Sequence, residues 1–278
     1  MRPQRARSLA GICFLAAVLA LGAFPAVADC PGAGRETAVV ESIADGATLR
    51  LAGGVAVRLA GVEAPERPLT LAGDAPWPLA EAVRAGLTTL VAGKPVGIAW
   101  AGEDADRYGR RHAYVFLLDG RSLQEAMLGR GLVRARRFPG EEGCFPSFLT
   151  AEKPARLARL GLWGDPEYAV KSANDPSLPA RNGLYDLVEG RVVSVGHGAR
   201  MIFLDFGRDF RRDFTVMIPP AVETALVAAG VSVDGLAGRR VVARGVIEEA
   251  GGPAIRLSDP AEIEIMGDNV RDDVGDPR

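Results

Sequence analysis

Two arginines and one glutamate have the side-chain types that hydrolysis of a phosphodiester needs. Arg58 and Glu66 lie in the segment VRLAGVEAPE, and Arg110 lies in DRYGRRHAYVF. A glutamate can take a proton from an attacking water, and two guanidinium groups can neutralise the charge that builds on phosphate oxygens. The alternative is structural, because Arg58 could pair with Glu66 on a strand surface and Arg110 could be a turn residue.

The elements that must position these side chains are predicted between residues 36 and 163. Alternating apolar residues, interrupted by turn pairs such as Asp45-Gly46, predict three antiparallel strands. Periodicity and capping residues then predict three helices over residues 79–91, 122–127 and 145–160, and two strands over 96–100 and 112–117. Pro154 is expected to kink or split the third helix, because proline removes a backbone donor.

A second β unit is predicted over residues 184–266, after a linker at residues 164–183 that is rich in proline, glycine and small polar residues. Five strand-like runs and one short helix favour a small barrel for this unit. Residues 267–278 are polar and are predicted to be a disordered tail. The fold class predicted for the whole chain is therefore β-rich α+β, with two small β units in series.

The N-terminus has the pattern of a cleaved secretory signal peptide over residues 1–28. A basic start precedes the apolar run Leu9–Phe24, and the small residues Ala26 and Ala28 provide a cleavage site. An uncleaved anchor is the alternative. No later apolar stretch is long enough to span a bilayer. We therefore expect a periplasmic or secreted protein with no transmembrane segment after cleavage.

Two cysteines, Cys30 and Cys144, remain after the signal peptide. In an oxidising compartment they predict one disulfide, with two separate thiols as the alternative. Neither cysteine has zinc-ligand spacing with His112 or His197, so a zinc site is not supported.

The charge balance limits how the chain could contact nucleic acid. The sequence has 33 Lys and Arg against 35 Asp and Glu, for a net charge of −2. This excludes a strongly basic nucleic-acid binder, so any contact with phosphate must come from local basic patches. One candidate patch, with a solvated charged face as the alternative, consists of Arg130, Arg134, Arg136 and Arg137.

The ordered motifs of the first unit resemble the staphylococcal nuclease-like (thermonuclease) family. These motifs are DGATL, VRLAGVEAPE, DRYGRRHAYVF, GRSLQEAMLGRGLVRA and RLGLW. The resemblance implies a five-stranded oligonucleotide-binding (OB) barrel with three helices and calcium-dependent hydrolysis of single-stranded DNA and RNA. It places Arg58, Glu66 and Arg110 at catalytic positions, and Arg107 and Tyr108 where the family touches the nucleotide's phosphate.

The same resemblance locates a departure in the implied calcium site. The family's two side-chain ligands are aspartates, and their positions here hold Ala47 and Glu63. Calcium takes about 6–8 oxygen ligands and its affinity follows the ligand charge, so a weak or absent Ca²⁺ site is expected. Asp45 would share a strand face with Ala47 and is the alternative ligand.

The second unit resembles the OB-type β domain appended to some exported bacterial thermonuclease-like proteins. Its segment RDFRRDF interleaves arginines with phenylalanines, a pattern by which OB surfaces hold single strands. Three aspartates nearly cancel that charge, and phenylalanines at this spacing are also typical of a core. The residues concerned are Arg208, Arg211 and Arg212, Phe206, Phe210 and Phe214, and Asp205, Asp209 and Asp213.

Two functions are compatible with the sequence. The first is an exported phosphodiesterase that hydrolyses single-stranded DNA or RNA with a weakened calcium site. The second is a catalytically impaired module that binds nucleic acid or a protein of the cell envelope. The retained Arg58, Glu66 and Arg110 favour the first function, and Ala47 favours the second.

Overall fold

A computed structural model describes most of the chain. The described residues are 30–32, 36–65, 77–141, 143–209 and 211–267. The predicted signal peptide, Glu66 and the predicted tail from residue 268 onward lie outside this part of the chain. Within it, no helix is long and apolar enough to cross a membrane.

The first unit is a closed barrel with the strand order β1-β2-β3-β6-β5. Its strands are β1 Glu36–Asp45, β2 Thr48–Leu51, β3 Ala56–Leu59, β5 Pro95–Ala105 and β6 Arg111–Phe116. A separate pair is formed by β4 Val62–Glu63 and β7 Arg134–Ala135. The barrel pairs are antiparallel except for β3 and β6, which run parallel. The predicted OB-like barrel is confirmed.

Three helices accompany the barrel: α1 Ala80–Val91, α2 Leu123–Leu128 and α3 Phe145–Leu157. Helix α1 buries Val83, Leu87 and Val91, which recur every four residues and so lie on one face. Helix α2 begins where the Ser122 hydroxyl accepts a hydrogen bond from the backbone N–H of Glu125 at 3.2 Å. All three predicted helices are confirmed.

Helix α3 differs from its prediction in two ways. It ends at Leu157 rather than residue 160, and Arg159 then adopts a φ of +52°. The expected break at Pro154 does not occur, because the helix runs through this residue. Pro154 lies in the last turn and costs one backbone bond there, while the buried Phe148 and Ala155 hold the helix against the core.

Among the described residues, the second unit has eight strands, seven of them within residues 184–266, where five were predicted. They are β8 Lys171–Ser172, β9 Tyr185–Arg191, β10 Ser194–His197, β11 Ile202–Asp205, β12 Thr215–Ile218, β13 Arg240–Ala250, β14 Gly252–Arg256 and β15 Ile263–Ile265. The predicted helix is present as α4 Pro220–Ala228. The strand order is β10-β11-β12-β14-β13-β9-β8, and β15 also pairs with β13. Strands as short as β8 and β15 carry no readable alternation, which is why the sequence does not reveal them.

The two units share a parallel strand pairing. In the first unit β3 pairs in parallel with β6, and in the second β12 pairs in parallel with β14. A helix lies between the paired strands along the chain in both cases, α1 in the first unit and α4 in the second.

The segment predicted as a linker is folded and packed. Tyr168 and Leu178 are buried, and the Tyr168 hydroxyl donates to the carbonyl of Pro78 at 2.8 Å. Strand β8 extends the second sheet from within this segment. Its prolines and polar residues therefore make turns between the units and do not form a free tether.

A buried ion pair joins the two units. Glu152 of α3 and Arg244 of β13 approach to 2.7 Å, and both side chains are almost fully buried. The backbone N–H of Ala135 donates to Glu152 at 2.7 Å, and the Tyr185 hydroxyl donates to the Ala135 carbonyl at 2.9 Å. The charges are thus paired and hydrogen-bonded within one interface, as buried charges require.

Two arginines of the predicted basic patch also serve this interface. Arg134 is buried and pairs with Asp186 at 3.4 Å, and Arg137 pairs with Asp259 at 3.3 Å. The sequence pattern suggested a phosphate track, but burial beside acidic partners from the second unit removes Arg134 from the solvent-facing surface.

A disulfide joins Cys30 to Cys144, as predicted. Cys144 is fully buried immediately before α3, so the bond attaches the start of the described chain to that helix. The two residues are separated by 114 positions, and closing so long a loop restricts the unfolded chain.

Candidate nucleic-acid site

Thr48 is a neighbour of both arginines expected to contact phosphate. In the antiparallel register of β2 and β3, Thr48 is directly opposite Arg58, and side chains at such positions are neighbours. Arg110 Nη1 donates to Thr48 Oγ1 at 3.3 Å. The barrel therefore brings Arg58 and Arg110, which are distant in sequence, close to one threonine.

Arg58 is buried, with 8% of its surface exposed. Its Nη1 atom has no hydrogen-bond partner among the described residues. A buried donor without an acceptor is costly, and a guanidinium donates most strongly to an anion. Arg58 is therefore suited to receive a phosphate oxygen.

Arg110 is held in place by Asp106. The Asp106 carboxylate accepts from Arg110 Nε at 2.9 Å and, through its other oxygen, from the backbone N–H groups of Tyr108 and Arg110. Burial alone would raise the pKa of Asp106, but these hydrogen bonds and the guanidinium lower it to about 2. Asp106 is therefore ionised at neutral pH and fixes Arg110 through charge-assisted bonds.

The loop before β6 presents an aromatic ring between two cations. Tyr108 is 54% exposed, and the guanidinium carbons of Arg107 and Arg110 lie 4.9 and 5.1 Å from its ring centroid. An exposed ring can stack on a base while neighbouring arginines contact the backbone. Arg107 and Tyr108, expected from sequence to touch the nucleotide, thus lie beside Arg110.

In the second unit, the described phenylalanines in and next to the segment RDFRRDF do not form an exposed aromatic surface. Phe206 and Phe214 are buried, and their ring centroids lie 5.2 Å apart in the core. Phe210 lies outside the described residues. The core interpretation is therefore correct for both described phenylalanines.

Glu63, expected as a calcium ligand, is paired with a cation of its own chain. Arg136 Nη1 lies 3.0 Å from Glu63 Oε2. The Arg136 guanidinium also stacks over Phe138 and over Tyr185 of the second unit, at 4.8 and 5.0 Å from the ring centroids. The packing of the second unit thus helps to hold Arg136 against this carboxylate.

His112 adjoins the arginine pair, together with a buried glutamate that the sequence does not single out. His112 is opposite Arg58 in the parallel register of β3 and β6, and its Nδ1 bonds to the buried Glu141 carboxylate. Glu141 also accepts from the backbone N–H of Gly61 at 2.6 Å. The hydrogen bond to Glu141 raises the pKa of His112, and burial opposes this rise.

The sequence gives a local signal for Asp106 but none for Glu141. Asp106 begins the turn D-R-Y-G, where aspartate is favoured because it bonds the backbone ahead of it. Gly109 completes the turn with a φ of +74°. Glu141 lies 29 residues from His112, and no local spacing connects the two.

In comparison with known proteins, the model of a family described as staphylococcal nuclease homologue matches residues 56–165, a range that contains Arg58, Glu63 and Arg110. This part of the chain is therefore similar to the staphylococcal nuclease homologue family. Protein ParB of Escherichia coli is similar, with 32% identity over 120 residues that cover 40% of this chain and 62% of ParB. The chain thus spans less than two thirds of that relative.

Members of the staphylococcal nuclease homologue family are generally calcium-dependent, but the residues present here do not fit that ion. Ala47 is buried and offers no side-chain oxygen. Asp45 Oδ1 accepts from the backbone N–H of Ala47 at 2.8 Å, so this carboxylate closes the turn before β2. Glu63 is neutralised by Arg136. The described residues contain no group of three or more acidic, histidine or cysteine side chains able to hold a metal.

Proposed function

We propose that the nuclease-homologue domain binds single-stranded DNA or RNA by its phosphodiester groups and hydrolyses it. The observation that supports this proposal is that Arg58 and Arg110 are both neighbours of Thr48. Two guanidinium groups at one point can each donate to a non-bridging oxygen of the same phosphate.

In the proposed reaction the two arginines act on developing charge. A water attacks phosphorus, Glu66 takes its proton, the bond from phosphorus to the leaving oxygen breaks, and that oxygen takes up a proton from solvent water. Arg58 and Arg110 donate to the oxygens on which negative charge accumulates, while Asp106 keeps Arg110 oriented. Tyr108 supplies a stacking surface for a base of the bound strand. The role of Glu66 is carried over from the family pattern alone.

A second candidate function is binding without cleavage. The observation that favours it is the ion pair between Arg136 and Glu63, together with the buried Ala47. A domain with these features would keep its phosphate-binding arginines while losing the family's metal chemistry. Its ligand would be nucleic acid or, through other surfaces, a protein of the cell envelope.

One assay with three proteins distinguishes these functions. The disulfide-bonded protein, Glu66→Gln and Ala47→Asp are each incubated with labelled single-stranded DNA and RNA, with calcium or with chelator. Cleavage by the unaltered protein that is lost in Glu66→Gln supports hydrolysis. Retention of oligonucleotide without cleavage by any of the three supports binding alone. Equal cleavage by Glu66→Gln contradicts the role given to Glu66, and failure to bind or cleave contradicts both functions.

We also propose that the protein works outside the cytoplasm, in the periplasm or after secretion. The Cys30–Cys144 disulfide supports this location, because such bonds persist in oxidising compartments. Detection of the protein in periplasmic or culture-medium fractions would test the proposal, and exclusive recovery with the cytoplasmic fraction would contradict it.

A further inference from the structure

One imidazole lies between the two carboxylates that organise the arginine site. His112 Nδ1 bonds to Glu141, and His112 Nε2 lies 3.6 Å from Asp106 Oδ2. Glu141 holds the backbone N–H of Gly61, which lies between β3 and β4, and Asp106 holds the side chain of Arg110. His112 is thus the side chain that lies next to both of these carboxylates.

The number of protons on His112 decides whether it can bond both carboxylates. A neutral imidazole has one N–H, and when that proton is on Nδ1 and bonds Glu141, Nε2 turns a lone pair toward Asp106. An imidazolium has two N–H groups and can donate to both carboxylates. Protonation therefore converts a repulsive contact with Asp106 into an attractive one.

The surroundings of His112 contain charges of both signs. Asp106 and Glu141 favour the protonated ring. The guanidinium of Arg58, opposite in the register, and that of Arg110, bonded to Asp106, oppose a further positive charge. The edge of Phe138 packs against the imidazole, with ring centroids 6.5 Å apart, and carries no charge.

We propose that His112 is a positioning residue that, when protonated, joins Asp106 and Glu141 into one support and so orders Arg110 for phosphate binding. The support itself is inferred from the positions of these side chains. Its effect on nucleic-acid binding rests on the proposed function. His112 is not assigned a contact with the substrate.

The direction of the pH effect follows from the sign of the shift. The pKa of His112 is raised in the folded protein, chiefly by its hydrogen bond to Glu141. The ordering is fully present below the ordinary histidine pKa and is lost as the pH rises through the raised value. Affinity for a single strand should therefore fall as the pH rises through this raised pKa, by about 3- to 10-fold, as expected for one hydrogen bond.

The chain supplies its own control, because its only other histidine is His197. His197 is exposed and pairs with Asp234 of the second unit at 2.7 Å. Imidazole signals followed by nuclear magnetic resonance across the pH range give the pKa of each histidine, and His197→Gln assigns them. The Nε signal of Arg110 is followed in the same titration, and affinity for labelled oligothymidylate is measured by fluorescence anisotropy.

We expect the Arg110 signal to change with the midpoint of His112, and this change to be lost in His112→Gln but kept in His197→Gln. Asp106→Asn should lower the His112 pKa. An Arg110 signal that does not follow His112, or a His112 pKa at or below the ordinary value, would overturn the proposal. If Arg110 follows His112 but oligonucleotide does not bind, the proposed function fails and the positioning role stands. The titration of the unaltered protein decides the matter even if His112→Gln does not fold.

Discussion

A guanidinium nitrogen of Arg136 lies 3.0 Å from the carboxylate of Glu63. The family pattern leads one to expect a metal ligand at Glu63. A cation attached to the chain cannot leave as a hydrated ion can, so a divalent ion must compete with it continuously. The same guanidinium stacks over Tyr185 of the second unit. The ion pair of Glu63 in the first unit is therefore linked to the packing of the second unit.

Restoring an acid and removing this cation should create calcium affinity. The double variant Ala47→Asp with Arg136→Gln adds one carboxylate and frees another, and calcium affinity follows ligand charge. Isothermal titration calorimetry should detect calcium binding by the double variant and much weaker binding by the unaltered protein. Ala47→Asp with Arg137→Gln is the matched control, because Arg137 pairs with Asp259. Equal calcium binding by both double variants would refute the role given to Arg136.

Replacing either of the arginines proposed to bind phosphate by lysine should impair cleavage although the charge is kept. Lysine lacks the planar fork that donates two bonds at once. We expect cleavage by Arg58→Lys or Arg110→Lys to fall by about 10²- to 10³-fold, the usual cost of one transition-state donor. Arg50→Lys is the control, because Arg50 is an exposed residue of β2. Rates on single-stranded DNA measured under single-turnover conditions would show the difference, and an unchanged rate for both variants would exclude the arginine pair from the reaction.

Asp106 should make the protein less stable in acid. Its pKa is lowered to about 2 in the folded state, so its contribution to the free energy of unfolding is present above the ordinary aspartate pKa. That contribution is lost as the pH falls from the ordinary value toward about 2. Urea unfolding at a series of acidic pH values should therefore show a smaller pH dependence for Asp106→Asn than for the unaltered protein. Asp104→Asn, at an exposed position of the same region, should keep the original dependence.

Breaking the buried ion pair between the units should destabilise the whole chain. Arg244→Met leaves the buried Glu152 carboxylate without its cation, which costs about 3–5 kcal/mol. The free energy of unfolding from chemical denaturation measures this loss. Lys153→Met, which removes an exposed cation next to Glu152, should cost no more than about 1 kcal/mol. Equal losses of unfolding free energy for the two variants would show that the buried pair stabilises the protein no more than an exposed one.

Much of the fold could be predicted because its signals are local. Helix α1 follows from apolar spacing, α2 from the Ser122 cap, and the first hairpin from the Asp45-Gly46 turn. The disulfide follows from the presence of two cysteines outside the predicted leader. These features depend on a few neighbouring residues or on residue type alone.

The parts that could not be predicted depend on contacts between distant segments. Nothing near Glu63 in the sequence indicates that Arg136 will neutralise it, and nothing near His112 indicates Glu141. The segment at residues 164–183 has a linker's composition, and only its packing against both units reveals that it is folded. The arginine pair lies between these cases, because ordered motifs identify both residues but only the barrel brings them to Thr48.

The Glu152–Arg244 pair also bears on how this protein should be produced for study. A gene shortened to end at Trp163 would retain every candidate catalytic residue but would remove Arg244, the cation that pairs with the Glu152 carboxylate. The same shortening would expose Trp163 itself, which packs with Tyr185, Leu187 and Val242. Such a fragment would tend to aggregate, and its inertness toward DNA would report a folding failure rather than a lack of chemistry.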